Sequence, residues 1–433
     1  MRADDEPRGA VTLEIAVALV GRAILVLGVL GLGFRAISDD DYARVVIAER
    51  WVATPTVDPS GTSWLPLPFH VMGVAMAAFG RSLAVARVAS VGFVLASQAA
   101  LHVALLRTGL SRHARLFGLA AAALLPWSLF CSAATVPEAP TAGLVAAALL
   151  LSALPPGRAD RATRLTAGAL ALAATLCRYE AWPAAVVVAI SLAWLGRAER
   201  GAELRVLALA VGLGLAGALG WMVWNRWSHG SATHFLFRVA RYKRMLAQGG
   251  PEIALSERLL AYPRLLVVHF PEALVAALLL VVRVPARLTA AARVVLVGLL
   301  AVGAFLIVGN VNDGAPTHHA ERAWLGVVTA VVALGAGRAT EGLVSRRAWG
   351  AVAVALGLAG ALRFAATEAP GGGAADRSAQ VARGLALRGA GPFAVAPCAY
   401  EHFALLAAYG RPEDVTVLPV EPKGSPCPRV VLP

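Results

Sequence analysis

Three adjacent aspartates, Asp39, Asp40 and Asp41, follow the first long apolar segment of the chain, residues 13–32. They open a polar stretch that runs to Trp64. Neighbouring carboxylates repel one another and raise each other's proton affinity, so a triplet at the mouth of a membrane helix is a candidate for proton transfer. The alternative interpretation is a solvated charge run that ends the helix.

The composition is that of an integral membrane protein. Hydrophobic residues make up 58% of the chain and charged residues 15%, and the mean hydropathy is +0.68, far from the balance of a soluble domain. Because a bilayer core needs roughly 20 apolar residues per helix, we predict an all-α polytopic protein with about eleven transmembrane helices. They lie near 11–33, 83–106, 115–134, 140–154, 165–177, 181–196, 206–225, 264–282, 293–310, 323–337 and 348–364.

The orientation follows from five short connections that each carry three arginines: 107–115, 155–164, 197–205, 283–293 and 338–347. If the spans alternate, these connections share one side with the amino terminus, and the positive-inside rule makes that side the cytoplasm. Only two of the 39 basic residues are lysines, a bias typical of high-GC coding. We therefore expect a multi-pass protein of the bacterial inner membrane with a cytoplasmic amino terminus and a retained first span.

The unusual polar residues then fall on the opposite, external face. They lie in the loops 34–64, 135–139, 178–180, 226–263 and 311–322. The formal net charge of +13 is spread over both faces, which favours contact with anionic lipid or phosphate and argues against nucleic acid as a partner.

Two of the predicted spans, 165–177 and 181–196, are short and are joined by a charged tip that contains Arg178 and Glu180. Either the tip is recessed below the membrane surface, or the segment is one kinked helix, with a break favoured at Pro183. A recessed charged tip indicates a water-filled cavity, because charge facing lipid is costly.

A soluble tail is expected after the glycines at 371–373. We predict a membrane domain over 1–365, with its first external loop at 34–64, and a small α/β domain outside the membrane over 374–433. Its elements are a strand near 391–397, a helix near 400–409 and a strand near 415–419.

The four cysteines divide into two kinds. Cys398 and Cys427 lie in the tail and could pair in an oxidising compartment. Cys131 and Cys177 lie near span ends, where a buried, small apolar role is expected. Their spacing is not that of a metal site.

A family resemblance is carried by the first 90 residues. Its residues are Asp39-Asp40-Asp41-Tyr42-Ala43-Arg44, Glu49-Arg50-Trp51, the proline-rich segment 64–69, Phe79-Gly80-Arg81-Ser82 and Ala86-Arg87. This pattern resembles the first loop of GT-C type membrane glycosyltransferases that use polyprenyl-phosphate sugars, including protein mannosyltransferases and the lipid A aminoarabinose transferase. His318-His319-Ala320-Glu321-Arg322 resembles the His-x-x-Glu-Arg element of related lipid-linked mannosyltransferases. The number of predicted helices and the soluble tail resemble this family loosely, and the middle of the chain resembles it poorly.

The resemblance implies inverting transfer of a sugar from a polyprenyl-phosphate donor to a hydroxyl acceptor on the external face. Asp39 or Asp40 would accept the proton of the attacking hydroxyl group. Asp41 would orient its neighbours or bind a cation. The family has an acidic pair where this chain has three aspartates, so the sequence leaves the identity of the base open.

The phosphate of such a donor needs fixed cations, for which arginine forks are well suited. The candidates for donor binding are Arg178 with Glu180, the cluster Arg238, Arg241, Lys243 and Arg244, and His318, His319, Glu321 and Arg322. Each has an alternative interpretation. Arg178 and Glu180 can satisfy each other at a hairpin tip, and the 238–244 cluster can bind anionic head groups.

Two further alternatives concern the 318–322 segment and Glu138. The segment can be a polar helix start, or its two histidines and Glu321 can form a metal site. Glu138 can accept a sugar hydroxyl group or be a turn residue. We expect no cofactor, with a divalent metal left open.

Two other classes of function compete with transfer. A transporter or flippase for a lipid-linked sugar would be expected to show an internal repeat and ionisable residues in the middle of spans, and the sequence shows no repeat. A non-catalytic subunit of an envelope assembly would bind the donor without turnover. The expected partners are a polyprenyl-phosphate sugar, membrane lipids and a hydroxyl acceptor.

Overall fold

A computed structural model of the chain describes residues 8–61, 64–197, 200–247, 253–282, 289–313, 319–341, 346–370, 374–419 and 429–431. These residues form eighteen α-helices, short 3-10 segments and one three-stranded sheet. The mainly helical class predicted from the composition is confirmed.

The α-helices are, in chain order, α1 (Arg8–Gly31), α2 (Asp39–Ala53), α3 (Leu67–Phe79), α4 (Leu83–Arg107), α5 (Arg112–Ala123), α6 (Pro126–Ala133), α7 (Glu138–Ser152), α8 (Arg161–Thr175), α9 (Ala181–Leu195), α10 (Ala202–His229), α11 (His234–Ala247), α12 (Leu255–His269), α13 (Pro271–Val281), α14 (Thr289–Asp313), α15 (Leu325–Thr340), α16 (Arg346–Ala366), α17 (Ala374–Ala386) and α18 (His402–Tyr409). The strands are β1 (Phe393–Ala396), β2 (Val415–Val417) and β3 (Arg429–Val431).

Five of the described helices are long and apolar enough to cross a bilayer. They are Gly9–Gly31, Leu83–Arg107, Ala202–His229, Thr289–Asn312 and Ala320–Thr340. Two bent pairs, α5 with α6 and α12 with α13, raise the number to seven if each pair is one span. The chain is thus a multi-pass membrane protein. The count of about eleven spans stays a prediction. Four further helices, α3, α7, α9 and part of α16, are apolar but shorter than the roughly 20 residues that a flat crossing needs.

The chain divides into two compact units. The first comprises Met1–Arg22, Leu95–Ser128 and Glu138–Thr367, and the second comprises Ala23–Val94, Leu129–Pro137 and Glu368–Pro433.

The centre of the first unit is α7, every residue of which is buried. It packs against α8, α9, α14 and α15. Small residues allow the surrounding helices to approach closely: a Cβ on Gly168 of α8 would lie 2.3 Å from the carbonyl oxygen of Ala210 in α10, and one on Gly118 of α5 would lie 2.2 Å from that of Ala333 in α15. Close backbone contact at small residues is the usual way in which membrane helices pack without a hydrophobic driving force.

A buried cluster of charged side chains connects α1, α4 and α5 of the first unit. Glu14 of α1 accepts two hydrogen bonds from Arg115 of α5, at 2.9 and 2.7 Å, and lies 3.0 Å from Nε2 of His102 in α4. All three side chains are fully buried. Because removing one partner leaves an uncompensated buried charge, we expect this cluster to be a strong structural requirement.

The second unit has one hydrophobic core, built from α2, α3 and the tail. Helix α18 packs against α2, and α17 packs against α18. A Cβ on Gly73 of α3 would lie 2.3 Å from Cε3 of Trp51 in α2, so the bare glycine lets the tryptophan ring lie flat against α3. The domain boundary between 365 and 374 stays a prediction.

The tail contains the small sheet, in the strand order β2-β1-β3. Strand β1 pairs in parallel with β2 and antiparallel with β3. The predicted strands near 391–397 and 415–419 and the predicted helix near 400–409 correspond to β1, β2 and α18. Cys398 is disulfide-bonded, and its predicted partner Cys427 lies outside the described residues. Cys131 and Cys177 are buried free thiols, as expected.

Candidate functional site

Asp41 caps the start of α2. Its carboxylate accepts hydrogen bonds from the backbone N–H groups of Ile37 and Ser38, both at 3.2 Å, and from that of Thr135 at 3.2 Å. The Thr135 hydroxyl group donates in turn to the backbone carbonyl of Asp41, at 2.8 Å. Asp41 is buried, so its side chain satisfies orphan donors at a helix start and ties the 135 loop to α2.

Asp39, the first residue of α2, forms a two-pronged ion pair with Arg377 of α17. Nε of Arg377 lies 2.8 Å from Oδ1 and Nη2 lies 3.3 Å from Oδ2. Burial works against the charged guanidinium group, but the hydrogen bond and charge of Asp39 outweigh it and raise the pKa of Arg377. Both carboxylate oxygens of Asp39 are therefore engaged by one cation.

Asp40 differs from its two neighbours. Its side chain is half-buried and, within the described part of the chain, forms no hydrogen bond or ion pair. Among the three aspartates, Asp40 has the carboxylate that is accessible to a new partner.

The first-loop motifs meet at a buried arginine. The guanidinium group of Arg44 lies 4.2 Å from the ring centroid of Trp64 and 5.7 Å from that of Phe69. Cation–π contacts of this kind are stronger when desolvated, and Arg44 is buried. The proline-rich segment is thereby held against α2. Tyr42 is also buried, and burial raises the pKa of its phenol group.

Glu49, another residue of the first-loop pattern, lies fully buried in α2. Within the described residues, neither carboxylate oxygen has a hydrogen-bond partner. Burial raises the pKa of Glu49 well above its ordinary range, with Arg81 opposing the shift. We infer that Glu49 is neutral in the folded protein, since a charge there has no direct partner.

A second cluster lies in the first unit, where Glu138 binds two arginines. Nη1 of Arg178 donates to Oε1 of Glu138 at 2.9 Å, and Nη1 of Arg322 lies 3.3 Å from the same oxygen. Glu138 begins α7, Arg178 lies in the tip between α8 and α9, and Arg322 lies in a 3-10 helix, Ala320–Trp324. Three separate segments thus meet at one buried carboxylate.

These side chains line a small cleft of about 20 Å³. The other walls are mainly apolar and come from α7, α9, α14 and α15, with lining residues that include Val145, Ala181, Val302 and Val327. Two guanidinium groups beside aliphatic side chains suit the anionic head of an amphipathic ligand.

Arg178 also binds Glu180, at 3.0 and 2.6 Å. The pairing of these two residues at the tip, considered above as an alternative to donor binding, is therefore present, and Arg178 additionally reaches Glu138. Beside the tip, Tyr179 stacks on Phe235 with ring centroids 4.7 Å apart, and Trp221 donates to the Tyr179 hydroxyl group at 3.1 Å. These aromatic contacts fix the position of the tip.

His319 adopts a left-handed backbone conformation, with φ of 55°. Nδ1 of His319 lies 3.4 Å from Oε1 of Glu321, and its ring centroid lies 5.5 Å from that of Trp127. Such a conformation in a residue other than glycine costs about 1–3 kcal/mol and often occurs at functional sites. Across the described ranges, no three His, Cys, Asp or Glu side chains converge as a metal site would require, and His318 lies outside those ranges.

The 238–244 cluster lies on α11. Arg241 is exposed and Arg238 is half-buried, while the side chains of Lys243 and Arg244 lie outside the described part. Neither Arg238 nor Arg241 is among the residues that line the described cleft.

Comparison with known proteins gives one kind of match. No family model matches the chain, and no curated protein matches it. Two solved structures of ArnT from Cupriavidus metallidurans do match. The structure bound to undecaprenyl phosphate has a TM-score of 0.50 at 16% identity, covering 94% of this chain and 76% of that one. The apo structure has a TM-score of 0.49 at 17% identity, covering 94% and 75%.

The chain has an ArnT-like fold. At these identities the likeness concerns the fold alone, and it supports the GT-C type architecture expected from the first-loop pattern. It does not confirm a mannosyltransferase. The roles assigned to individual residues stay predictions.

Two residues of the candidate sites, Glu138 and Arg377, had little or no support from sequence patterns. Glu138 was visible as an acidic residue before an otherwise apolar span, but its pairing with Arg178 and Arg322 depends on how three distant segments pack. Arg377 had no local signal at all, since its partner Asp39 is 338 positions away. Contacts of this separation are set by tertiary packing.

Proposed function

We propose that the chain is an inverting glycosyltransferase that moves a sugar from a polyprenyl-phosphate donor to a hydroxyl group of a lipid, glycan or protein. The observation that carries the proposal is the cleft in which Arg178 and Arg322 flank Glu138 at the end of apolar walls. The ArnT-like fold supports it, because one of the two ArnT structures has undecaprenyl phosphate bound.

The arginines have the chemistry that a departing lipid phosphate requires. Negative charge grows on the phosphate oxygen as the bond to the sugar breaks, and fixed cations in a water-poor cleft stabilise that charge. Glu138 holds both guanidinium groups at one place, where its carboxylate competes with the donor phosphate for them. Glu180 orients Arg178 further, whereas His319, Glu321, Arg241, Lys243 and Arg244 are proposed as outer contacts of the donor.

The base is proposed among the aspartates of α2. The acceptor oxygen attacks the anomeric carbon, its proton passes to a carboxylate, and the bond from that carbon to the phosphate oxygen breaks. Asp41 is committed to three backbone N–H groups and Asp39 to Arg377. Asp40 is therefore the preferred base, since its carboxylate can accept a proton without breaking a described contact.

No metal or other cofactor is proposed for this reaction, because the arginines can meet the charge of the leaving group. The test is sugar transfer after dialysis against a chelator. Unchanged rates support the proposal, and loss of activity that Mg²⁺ or Mn²⁺ restores would contradict it.

We propose that the site faces the outside of the bacterial inner membrane, with a cytoplasmic amino terminus and an external tail. The arginine-rich short loops support this orientation. A reporter enzyme that is active only outside the cytoplasm, fused after Pro433, should be active. Activity of a cytoplasm-only reporter at the same position would overturn the orientation.

The activity itself can be tested with purified protein in detergent or vesicles. It is incubated with radiolabelled polyprenyl-phosphate sugars and native membranes, with Arg178→Gln as the impaired variant and Arg161→Gln as its control. Arg161 pairs with Glu203 far from the cleft lining. Label should move for wild type and Arg161→Gln. Binding of the donor without transfer would favour a non-catalytic subunit, and movement of the intact donor across vesicles would favour a flippase.

A further inference from the structure

The ion pair between Asp39 and Arg377 connects the first loop to the tail. Its side-on geometry uses two nitrogens of the guanidinium group and both oxygens of the carboxylate. The side chains of Arg377 and Asp39 are 13% and 29% exposed. The pair is therefore shielded enough to act on the neighbouring carboxylates more strongly than a solvated surface pair would.

Arg377 is held by packing as well as by charge. It lies in α17, which packs against α18, and α18 packs against α2. The apolar side chains of these elements belong to one core, which includes Val45 and Val46 of α2 with Leu405 and Leu406 of α18. The guanidinium group is thus presented to the start of α2 by a fixed scaffold.

The local electrostatics give this cation a definite role. Three carboxylates in a row would raise one another's proton affinity, and an adjacent guanidinium group offsets that repulsion. The other titratable or charged groups that act on this end of α2 are Asp40, Asp41 and Tyr42 of α2, Arg87 of α4 and His402 of α18. Arg377 is a cation hydrogen-bonded directly to the triplet, at Asp39.

We propose that Arg377 is a positioning residue of the transferase site: it binds both carboxylate oxygens of Asp39 and fixes that side chain, so that Asp40 is left as the proton acceptor. The inference rests on the proposed function and extends it to a residue of the tail. The tail is then part of the catalytic apparatus.

A second ion pair between the same two segments serves as a matched control. Arg81, just before α4, pairs with Glu413 of the tail. This pair acts on Glu49, ten residues beyond Asp39 and about 15 Å along the helix. Glu413→Gln removes a link between first loop and tail without touching the aspartates.

The experiment measures sugar transfer against pH for wild type, Arg377→Gln, Arg377→Lys and Glu413→Gln. Arg377→Gln removes a cation beside three carboxylates, so the acid limb of kcat/KM should move to higher pH by about one pH unit. KM for the donor should change by less than about twofold, because uniform donor binding is untouched. Arg377→Lys should show a smaller shift, and Glu413→Gln should show none.

Asp39→Asn keeps the test decisive if Arg377→Gln does not fold. Removing the Asp39 charge should move the acid limb of kcat/KM to lower pH, opposite to the direction expected for Arg377→Gln. The role of Arg377 would be overturned if wild type is active and the acid limb of kcat/KM lies at the wild-type pH in both Arg377→Gln and Asp39→Asn. Absence of turnover in wild type with every donor would instead be a failure of the proposed function.

Discussion

Arg178 donates a hydrogen bond of 2.9 Å to Glu138, at the carboxylate oxygen that Arg322 approaches to 3.3 Å. The shared oxygen holds two guanidinium groups together at the end of an apolar cleft. A buried carboxylate with two cations is stable in a low-dielectric setting only because its charge is compensated. The same arrangement gives a phosphate two fixed cations to approach.

The arginines should contribute separately to donor binding. Arg178→Gln and Arg322→Gln should each raise KM for the donor about tenfold, since a hydrogen bond to a charged group contributes about 1.5–3 kcal/mol. Steady-state transfer rates over a range of donor concentrations measure this effect. Arg161→Gln should match wild type, and equal KM values in all three variants would contradict a phosphate site in the cleft.

Glu138 should stabilise the fold and weaken the affinity for phosphate. Glu138→Gln removes the carboxylate shared by the half-buried guanidinium groups of Arg178 and Arg322, so thermal unfolding in detergent should begin at a lower temperature. Undecaprenyl phosphate should bind more tightly to this variant, because a competing anion is gone. Weaker binding by the folded variant would show that Glu138 contacts the ligand directly.

Glu49 should make stability depend on pH. Its folded-state pKa is raised by burial, so its contribution is fully present below the pKa of the unfolded chain. This contribution is lost as pH rises through the folded pKa. Between the unfolded and the folded pKa, each pH unit costs about 1.4 kcal/mol of stability, and above the folded pKa the loss grows no further.

The test compares thermal unfolding of wild type and Glu49→Gln between pH 5 and 9. Glutamine cannot ionise, so the variant should gain stability relative to wild type as pH increases. Parallel curves for wild type and Glu49→Gln would mean that Glu49 is already charged in the fold.

The predictable part of this protein came from local patterns. The apolar runs predicted membrane helices, and alternation in the tail predicted β1, α18 and β2, because each depends on residues close in sequence. The span count was harder to predict, since α7 and α9 are too short to be assigned by length alone and their burial depends on neighbouring helices.

The candidate site was only partly predictable for the same physical reason. Asp39 to Asp41 and Arg178 were conspicuous as charges next to apolar segments. Their different roles follow from long-range contacts, namely Asp41 with the backbone at Thr135 and Asp39 with Arg377. A sequence of three identical residues cannot show which carboxylate is left accessible.

Asp40 as the proton acceptor is the central claim, and single-turnover sugar transfer by Asp40→Asn tests it most directly. With the donor bound, the rate should fall about 10²–10⁴-fold, the usual contribution of a positioned base, while donor affinity stays near that of wild type. Asp39→Asn should retain more activity than Asp40→Asn. Wild-type rates in Asp40→Asn would contradict the account.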